Sequence, residues 1–526
     1  MTHSPGTVGD VTRLSAAEIA RRTASGELSA RDVVEACIGR IEKVNGRLNA
    51  LAVPLFDQAR VAARRADAAR DRGEALGPLH GVPVTIKEMF DVAGAPTTVG
   101  LTGWRERVAA ADGPLVRRLR RAGAIVLGKT NVSQFGMFGE TDNPVYGRTN
   151  NPWDPGRSPG GSSGGEAALI AAGGSPLGLG SDGGGSIRQP CHCCGIHGLK
   201  PTGGRFTMRG HWMAPNWRGA WVQPGPLARS VADLALALRA LATPEPGAAD
   251  EASAPEPLGE PAAVAVGRLK VGVYTDDGYF PPAPAIRRAV REAAAALRDG
   301  GACVEDFRPP DGAEATRIYF GLFYADGLES VRQCLSGSRC DWRVRRLLHL
   351  AGLPTALRPA VARLLAWTGQ RYAAQVLRFL SRRRLTAGEY RRLLDEEGAY
   401  RDRFLAALEA GRFDALVCPP SGLPALRHGS FNGNAATSYT YLYNLLGLPA
   451  GVVAATRVRP GEESDRERSW DPVVRTARAV EAGSAGLPVG VQVVARFWRE
   501  DVVLAVMAAL EEHFGRQPDY PAQTPQ

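Results

Sequence analysis

The chain has 526 residues, with 64 Lys and Arg against 54 Asp and Glu, a formal net charge of +10. At ~150 residues per domain this length allows about three domains, although large α/β domains make that bound soft. Apolar residues are 44% and charged residues 22%, which excludes wholesale disorder, and eight cysteines in a chain this long exclude a disulfide scaffold.

Met1 to Leu14 lacks the basic start and apolar run of a secretory signal. The longest uncharged run, Gly429 to Thr456, carries Asn432, Asn434, Asn444, Gly447 and Pro449, which a membrane span tolerates poorly. A cytoplasmic protein in a reducing compartment is therefore expected. The basic residues are mostly dispersed arginines with no helix-turn-helix, RNA-binding or zinc-finger pattern, so nucleic acid is not an expected partner.

Along residues 15–75 a helical region is predicted. Ser15 and Ser29 stand three residues before Glu18 and Asp32, the spacing of helix N-caps, and Val33, Val34, Cys37 and Ile41 follow at helical period. Asp57 to Asp71 reads as a further helix that stops at Gly73. The period then shortens to two at Val82, Val84 and Ile86, a strand ending at Lys87. Pro114 to Arg121 reads as a helix before a short strand, Ala124 to Leu127. Thr243 to Gly267, rich in Ala, Pro, Glu and Gly, reads as a surface linker, and beyond it Leu269 to Tyr274 is a strand and Ala285 to Leu297 a helix. This alternation predicts an α/β fold, a mixed twisted sheet with helices on both faces. Residues 76–242, which hold the glycine and serine runs, form the expected catalytic core of a single domain.

Arg343 to Arg384 holds ten arginines and no acidic residue, interleaved with Leu347, Leu357, Leu364, Trp367, Leu377 and other apolar residues. Two readings stand: a basic amphipathic cap that meets a membrane surface, or a two-helix hairpin that packs its leucines on the core with its arginines solvated. Pro354 and Pro359 break any single long helix.

The informative segment is Ser158-Pro-Gly-Gly-Ser162-Ser-Gly-Gly-Glu166, with Gly178-Leu-Gly-Ser-Asp182-Gly-Gly-Gly-Ser186-Ile-Arg188 after it. Glycine runs cost backbone entropy, so the backbone there must approach a ligand closely or adopt positive φ. A phosphate loop is weak, because neither run has G-x-x-x-x-G-K-[ST] spacing. A metal site from Cys191, His192, Cys193, Cys194 and His197 is weak, because no second ligand pair follows at zinc spacing. The remaining reading is a serine nucleophile facing backbone N–H donors from Gly183 to Ser186. No histidine has a Ser-His-Asp context and no G-x-S-x-G turn is present. Lys87 is then the candidate base, since desolvation at a strand end would leave a neutral amine; a strand-end lysine reaching water is the alternative for that residue taken alone.

These residues resemble the amidase signature family. The resemblance is carried by Gly81-Val-Pro-Val-Thr-Ile-Lys87-Glu, Gly160-Gly-Ser-Ser-Gly-Gly165, Ser181-Asp-Gly-Gly-Gly-Ser-Ile-Arg188, Gly195-Ile-His-Gly-Leu-Lys-Pro-Thr202 and Gly486-Leu-Pro-Val-Gly-Val-Gln492, and it runs from Leu14 to about Phe514. Ser158 to Gly180, Tyr439 to Val453 and the Lys87–Glu88 pair are most similar to the fatty acid amide hydrolase branch.

The resemblance implies a Ser-Ser-Lys triad: Ser186 as nucleophile, Ser162 between it and the base, after a cis peptide at Gly161, and Lys87 as base. It implies an oxyanion hole from the amides of Gly183, Gly184, Gly185 and Ser186, with Ser163, Asp182 and Arg188 in support, and neither cofactor nor metal. Gly183 departs from the Thr or Ile common in the family, which keeps the backbone donor and loosens the loop. The implied substrate is a small amide with an apolar acyl or aryl group, esters included. The implied associations are a peripheral membrane contact and a homodimer. A glutamine-hydrolysing amidotransferase component is the alternative, and a non-catalytic binding module is disfavoured by the intact triad positions.

Overall fold

The computed structural model describes residues 11–213, 221–244, 256–354, 356–380, 383–430, 435–522 and 524. The first ten residues, 245–255 of the expected linker, and residues 355, 381 and 382 of the basic stretch lie outside them.

The described residues form thirteen strands: β1 (Leu51–Pro54), β2 (Pro83–Lys87), β3 (Ile125–Thr130), β4 (Asp142–Asn143), β5 (Gly147–Arg148), β6 (Leu177–Asp182), β7 (His197–Lys200), β8 (Gln223–Ala228), β9 (Lys270–Val273), β10 (Cys303–Asp306), β11 (Ala415–Cys418), β12 (Ala450–Arg457) and β13 (Pro488–Ala495). All but the small β4–β5 pair lie in one sheet, in the order β1-β3-β2-β6-β8-β7-β12-β13-β11-β9-β10. The sheet is mixed: β2 runs parallel to β3 and β6, and β9 parallel to β10 and β11, while β8, β7, β12 and β13 pair antiparallel.

Helices cover both faces, as the strand alternation requires. Ile125 and Leu127 join the cluster of helix Ala30–Leu48, while Val126 between them joins the cluster of helix Val231–Ala242. Val493 and Val494 divide in the same way, Val493 towards helix Glu500–Gly515 and Val494 towards helices Gly312–Phe323 and Ala387–Ala410. The central strands β6, β8 and β7 are buried along their whole length although glycine, proline and polar residues interrupt their apolar runs.

The predicted caps form: Ser15 Oγ accepts from Glu18 N at 3.1 Å and Ser29 Oγ from Asp32 N at 3.0 Å. The Glu18 carboxylate does not return the bond but pairs with Arg21 and Arg22. The predicted helices at 57–71, 114–121 and 285–297 appear as Phe56–Asp71, Pro114–Arg121 and Pro284–Asp299.

The basic stretch forms three helices, Trp342–Ala351, Arg358–Trp367 and Arg371–Phe379, rather than a two-helix hairpin. Its arginines are not uniformly solvated. Arg343 is buried against Glu140 at 2.9 Å, Asp341 at 3.0 Å and Asp142 at 3.4 Å, and Arg358 donates to the carbonyls of Leu350, Ala351 and Leu353. Leu347, Leu377 and Leu380 are buried, yet Leu364 is 57% and Trp367 85% exposed. Among the described residues no helix is long and apolar enough to cross a membrane.

Candidate active site

The site lies beyond the carboxyl ends of the parallel strands β2 and β6, where open α/β sheets place their ligands. Lys87 is the last residue of β2, and Ser181 and Asp182 end β6 beside it. Ser162 and Ser163 lie in the turn that opens helix Gly164–Ala171, after a cis peptide between Gly161 and Ser162. Ser163 N donates to the Ser186 carbonyl at 3.1 Å, which ties this turn to the glycine loop.

Lys87 Nζ is buried and contacts Ser162 Oγ at 2.7 Å, Ser181 Oγ at 3.0 Å and the Ser181 carbonyl at 3.1 Å. Burial brings its pKa down to about 7, with Asp182 and Glu166 opposing that fall. In its neutral form this amine has two N–H bonds and one lone pair for three oxygen neighbours. The strand-end reading, in which this lysine reaches water, is thereby excluded.

The glycine loop is held by a buried ion pair. Arg188 donates to both oxygens of Asp182, at 2.9 and 3.0 Å, and also to Gln492 Oε1 at 2.8 Å and Asn444 Oδ1 at 2.5 Å. Asp182 in turn accepts from the amides of Gly185 at 2.7 Å and Ile187 at 3.1 Å. Burial works against its charge, but Arg188 and these amides hold the Asp182 carboxyl well below the usual carboxylate range. The Gly185 amide is thus committed to Asp182, whereas among the described residues the amides of Gly183, Gly184 and Ser186 have no acceptor. Gly185 has φ +119°, and a Cβ there would collide with Thr440 Oγ1, so no other residue fits this turn without strain.

Lys87, Ser162, Gly183, Gly184 and the half-buried Ser186 line one cavity of about 400 Å³. Its walls are apolar and aromatic, among them Phe135, Trp221, Tyr319 and Phe323, and it reaches Leu353, Leu365 and Val376 of the basic stretch. Of the residues expected at the site, Lys87, Ser162, Gly183, Gly184 and Ser186 share this cavity, Ser163, Asp182 and Arg188 stand outside its lining, and the Gly185 amide, expected among the oxyanion donors, is taken by Asp182 instead.

The family model named Amidase matches residues 32–504. The chain belongs to the amidase family. Fatty-acid amide hydrolase 1 of Sus scrofa is 37% identical over 516 residues, 95% of this chain and 86% of that protein. A glutamyl-tRNA(Gln) amidotransferase chain of Salinispora arenicola (strain CNS-205) is 35% identical over 531 residues, 96% of this chain and 98% of that one. Among solved structures, a fatty acid amide hydrolase superposes with a TM-score of 0.83 at 26% identity, covering 97% of this chain and 87% of its own. The enzyme is an amidase, a hydrolase of carbon–nitrogen bonds in linear amides, and its fold is the amidase signature fold.

Several residues of the site carry no signal in the sequence. His211 lines the cavity with its Nε2 2.9 Å from Ser181 Oγ; burial, with Lys87 nearby, lowers its pKa well below the ordinary value, so the ring is neutral. Tyr319 reaches the glycine loop from helix Gly312–Phe323. Thr440 and Asn444, which also reach it, and Gln492 stand by contrast inside segments that carry the family resemblance. The three cysteines Cys191, Cys193 and Cys194 are buried on helix Arg188–Cys194, and burial pushes the Cys193 thiol up to about 12, which leaves it inert.

Proposed function

We propose that the amidase cleaves amides with apolar acyl or aryl groups, and the matching esters, through an acyl-enzyme on Ser186. The observation that carries this reading is the 2.7 Å contact between Lys87 Nζ and Ser162 Oγ in a cavity that Ser186 shares. Neutral Lys87 takes the Ser162 proton as Ser162 takes that of Ser186, whose Oγ bonds to the carbonyl carbon. The oxyanion sits against the free amides of Gly183, Gly184 and Ser186, while the Gly185 amide holds the loop. The proton then returns from Lys87 through Ser162 to the nitrogen as the C–N bond breaks, because an unprotonated amine leaves poorly. Water repeats the sequence on the acyl-enzyme and releases the acid.

The lining, in which Phe135, Trp221, Phe323, Leu347 and Val376 outweigh a few polar side chains such as Gln189 and Arg346, supports a hydrophobic acyl or aryl group over the amide side chain of glutamine. An anilide series graded by acyl length, with glutamine alongside, tests this: activity is expected to rise with apolar length and to be absent for glutamine. A flat response rules out the apolar-acyl reading. Ser186→Ala is expected to fold, to lose labelling by a fluorophosphonate and to lose kcat by about 10⁴-fold or more; an active variant removes the nucleophile assignment.

The exposed apolar residues Leu353, Leu357, Leu364 and Trp367 stand near the cavity residues of the basic stretch, among arginines that include Arg363 and Arg371. This combination supports contact with an anionic lipid surface from which an apolar substrate enters.

A further inference from the structure

The glycine loop is held from outside at successive peptides. Asp182 Oδ1 accepts from the Gly185 amide, Thr440 Oγ1 donates to the Gly184 carbonyl at 2.9 Å, and Tyr319 Oη donates to the Gly183 carbonyl at 2.8 Å. Tyr319 comes from helix Gly312–Phe323, a segment outside every motif described above.

We propose that Tyr319 is a positioning residue for the transition state, which aims and polarises the Gly184 N–H towards the oxyanion through the Gly183 carbonyl. The inference rests on the hydrolase reading above and deepens it. The unit from the Gly183 carbonyl to the Gly184 N–H is one planar trans peptide, whose C=O and N–H point to opposite sides. Fixing the oxygen on one side therefore fixes the direction of the hydrogen on the other. An amide whose oxygen accepts a hydrogen bond also donates more strongly, by about 10–30% per bond.

The loop has particular need of this restraint. Three successive glycines give it no side chain to limit its freedom, and the family's bulkier residue is absent at position 183. The clamp is itself rigid: the Tyr319 ring stacks on Tyr441 at 4.7 Å between centroids and meets Phe320 edge-on at 5.2 Å. Burial raises the Tyr319 pKa, so the hydroxyl keeps its proton at any working pH. Position 184 is shaped to the clamp, because a Cβ there would stand 2.6 Å from Tyr319 Oη.

Tyr319→Phe removes the hydroxyl and keeps the ring stack. Its kcat for an acyl anilide is expected to fall about tenfold with KM changed less than about twofold. A trifluoromethyl ketone reports the same interaction: Ser186 Oγ adds to its carbonyl carbon, the Ser186 proton passes to Ser162 and from there to Lys87, and the adduct carries an oxyanion. Its affinity is expected to fall by the same factor, while that of the corresponding alcohol, which forms no oxyanion, stays unchanged and reports an intact cavity. An unchanged kcat, or equal losses for ketone and alcohol, overturns the role of Tyr319. Fluorophosphonate labelling separates the two readings. Absent labelling of Ser186 in the unsubstituted enzyme removes both, whereas normal labelling with an unchanged kcat in Tyr319→Phe removes only this one.

Discussion

Lys87 Nζ lies 2.7 Å from Ser162 Oγ, and the same nitrogen is held on its far side by the hydroxyl and carbonyl of Ser181. One buried amine thus joins the end of β2, the end of β6 and the turn before helix Gly164–Ala171. This placement takes the amine out of water, which brings its pKa down to about 7.

Activity should follow the neutral fraction of Lys87. Because burial brings its pKa to about 7, kcat/KM is expected to rise with pH through about 7 and then level. Lys87→Met should lower kcat by about 10³-fold or more and abolish that inflection. A pH–rate profile of the variant that keeps the same acid limb would assign it to another group.

Ser162 carries the proton to the leaving nitrogen in this mechanism, and an alkoxide departs more easily than an amide anion. Ser162→Ala should therefore damage amide hydrolysis more than hydrolysis of the matching ester, by about tenfold or more. Paired kcat measurements on an anilide and a phenyl ester decide it, and equal losses would count against Ser162 as the proton carrier.

Folding stability should depend on pH through buried titratable groups. Burial lowers Lys87 and Lys200 to about 7 and Lys129 to about 8, whereas an unfolded lysine keeps its proton to about 10.4. Between pH 8 and 10 the unfolded chain binds more protons, so these groups make stability rise with pH. Glu166, buried between Thr85 and Thr130, is pushed up to about 8, and it makes stability fall as pH rises from about 4.3 to 8. Urea midpoints at pH 5, 7 and 9 should pass through a minimum near 7, where the rise from the lysines overtakes the fall from Glu166. Lys87→Met should reduce the alkaline slope by one proton, about 1.4 kcal/mol per pH unit.

Arg188→Met should cost about 3–5 kcal/mol, because it leaves Asp182 buried without its cation. Asp182 also orients the Gly185 amide, so this variant is expected to lose kcat beyond what its fraction folded explains. Denaturant melts and active-site titration separate the two losses.

Trp367→Asp together with Leu364→Asp removes two of the most exposed apolar side chains of the basic stretch. Sedimentation with anionic vesicles is expected to fall, while turnover of a short soluble anilide is unaffected. Undiminished sedimentation would place any lipid contact elsewhere.

Much of the site is legible in the sequence because it is local. Lys87, Ser162, Asp182, Ser186 and Arg188 sit in short glycine-rich or alternating segments that carry the family resemblance, whereas the β2 alternation taken alone leaves open a strand-end lysine that reaches water. The caps at Ser15 and Ser29 are legible for the same reason, since each hydrogen bond closes within three residues. Tyr319 carries no comparable signal. An ordinary helical tyrosine becomes a clamp only because the fold brings it to a carbonyl 136 residues away.

The sequence by itself carried the α/β alternation and the caps, which are properties of neighbouring residues, and its longer motifs carried the resemblance to the family and the site residues that the resemblance implies. Tertiary structure alone decided how the glycine loop is clamped from outside, with Tyr319 on the Gly183 carbonyl and Thr440 on the Gly184 carbonyl. It also decided that the basic stretch buries Arg343 in an acidic cluster while exposing Trp367. The reason is common to both: an aimed peptide or a buried charge is settled by whichever partner the folded chain delivers, and Tyr319 reaches the Gly183 carbonyl from 136 residues away while Glu140 and Asp142 reach Arg343 from 203 and 201.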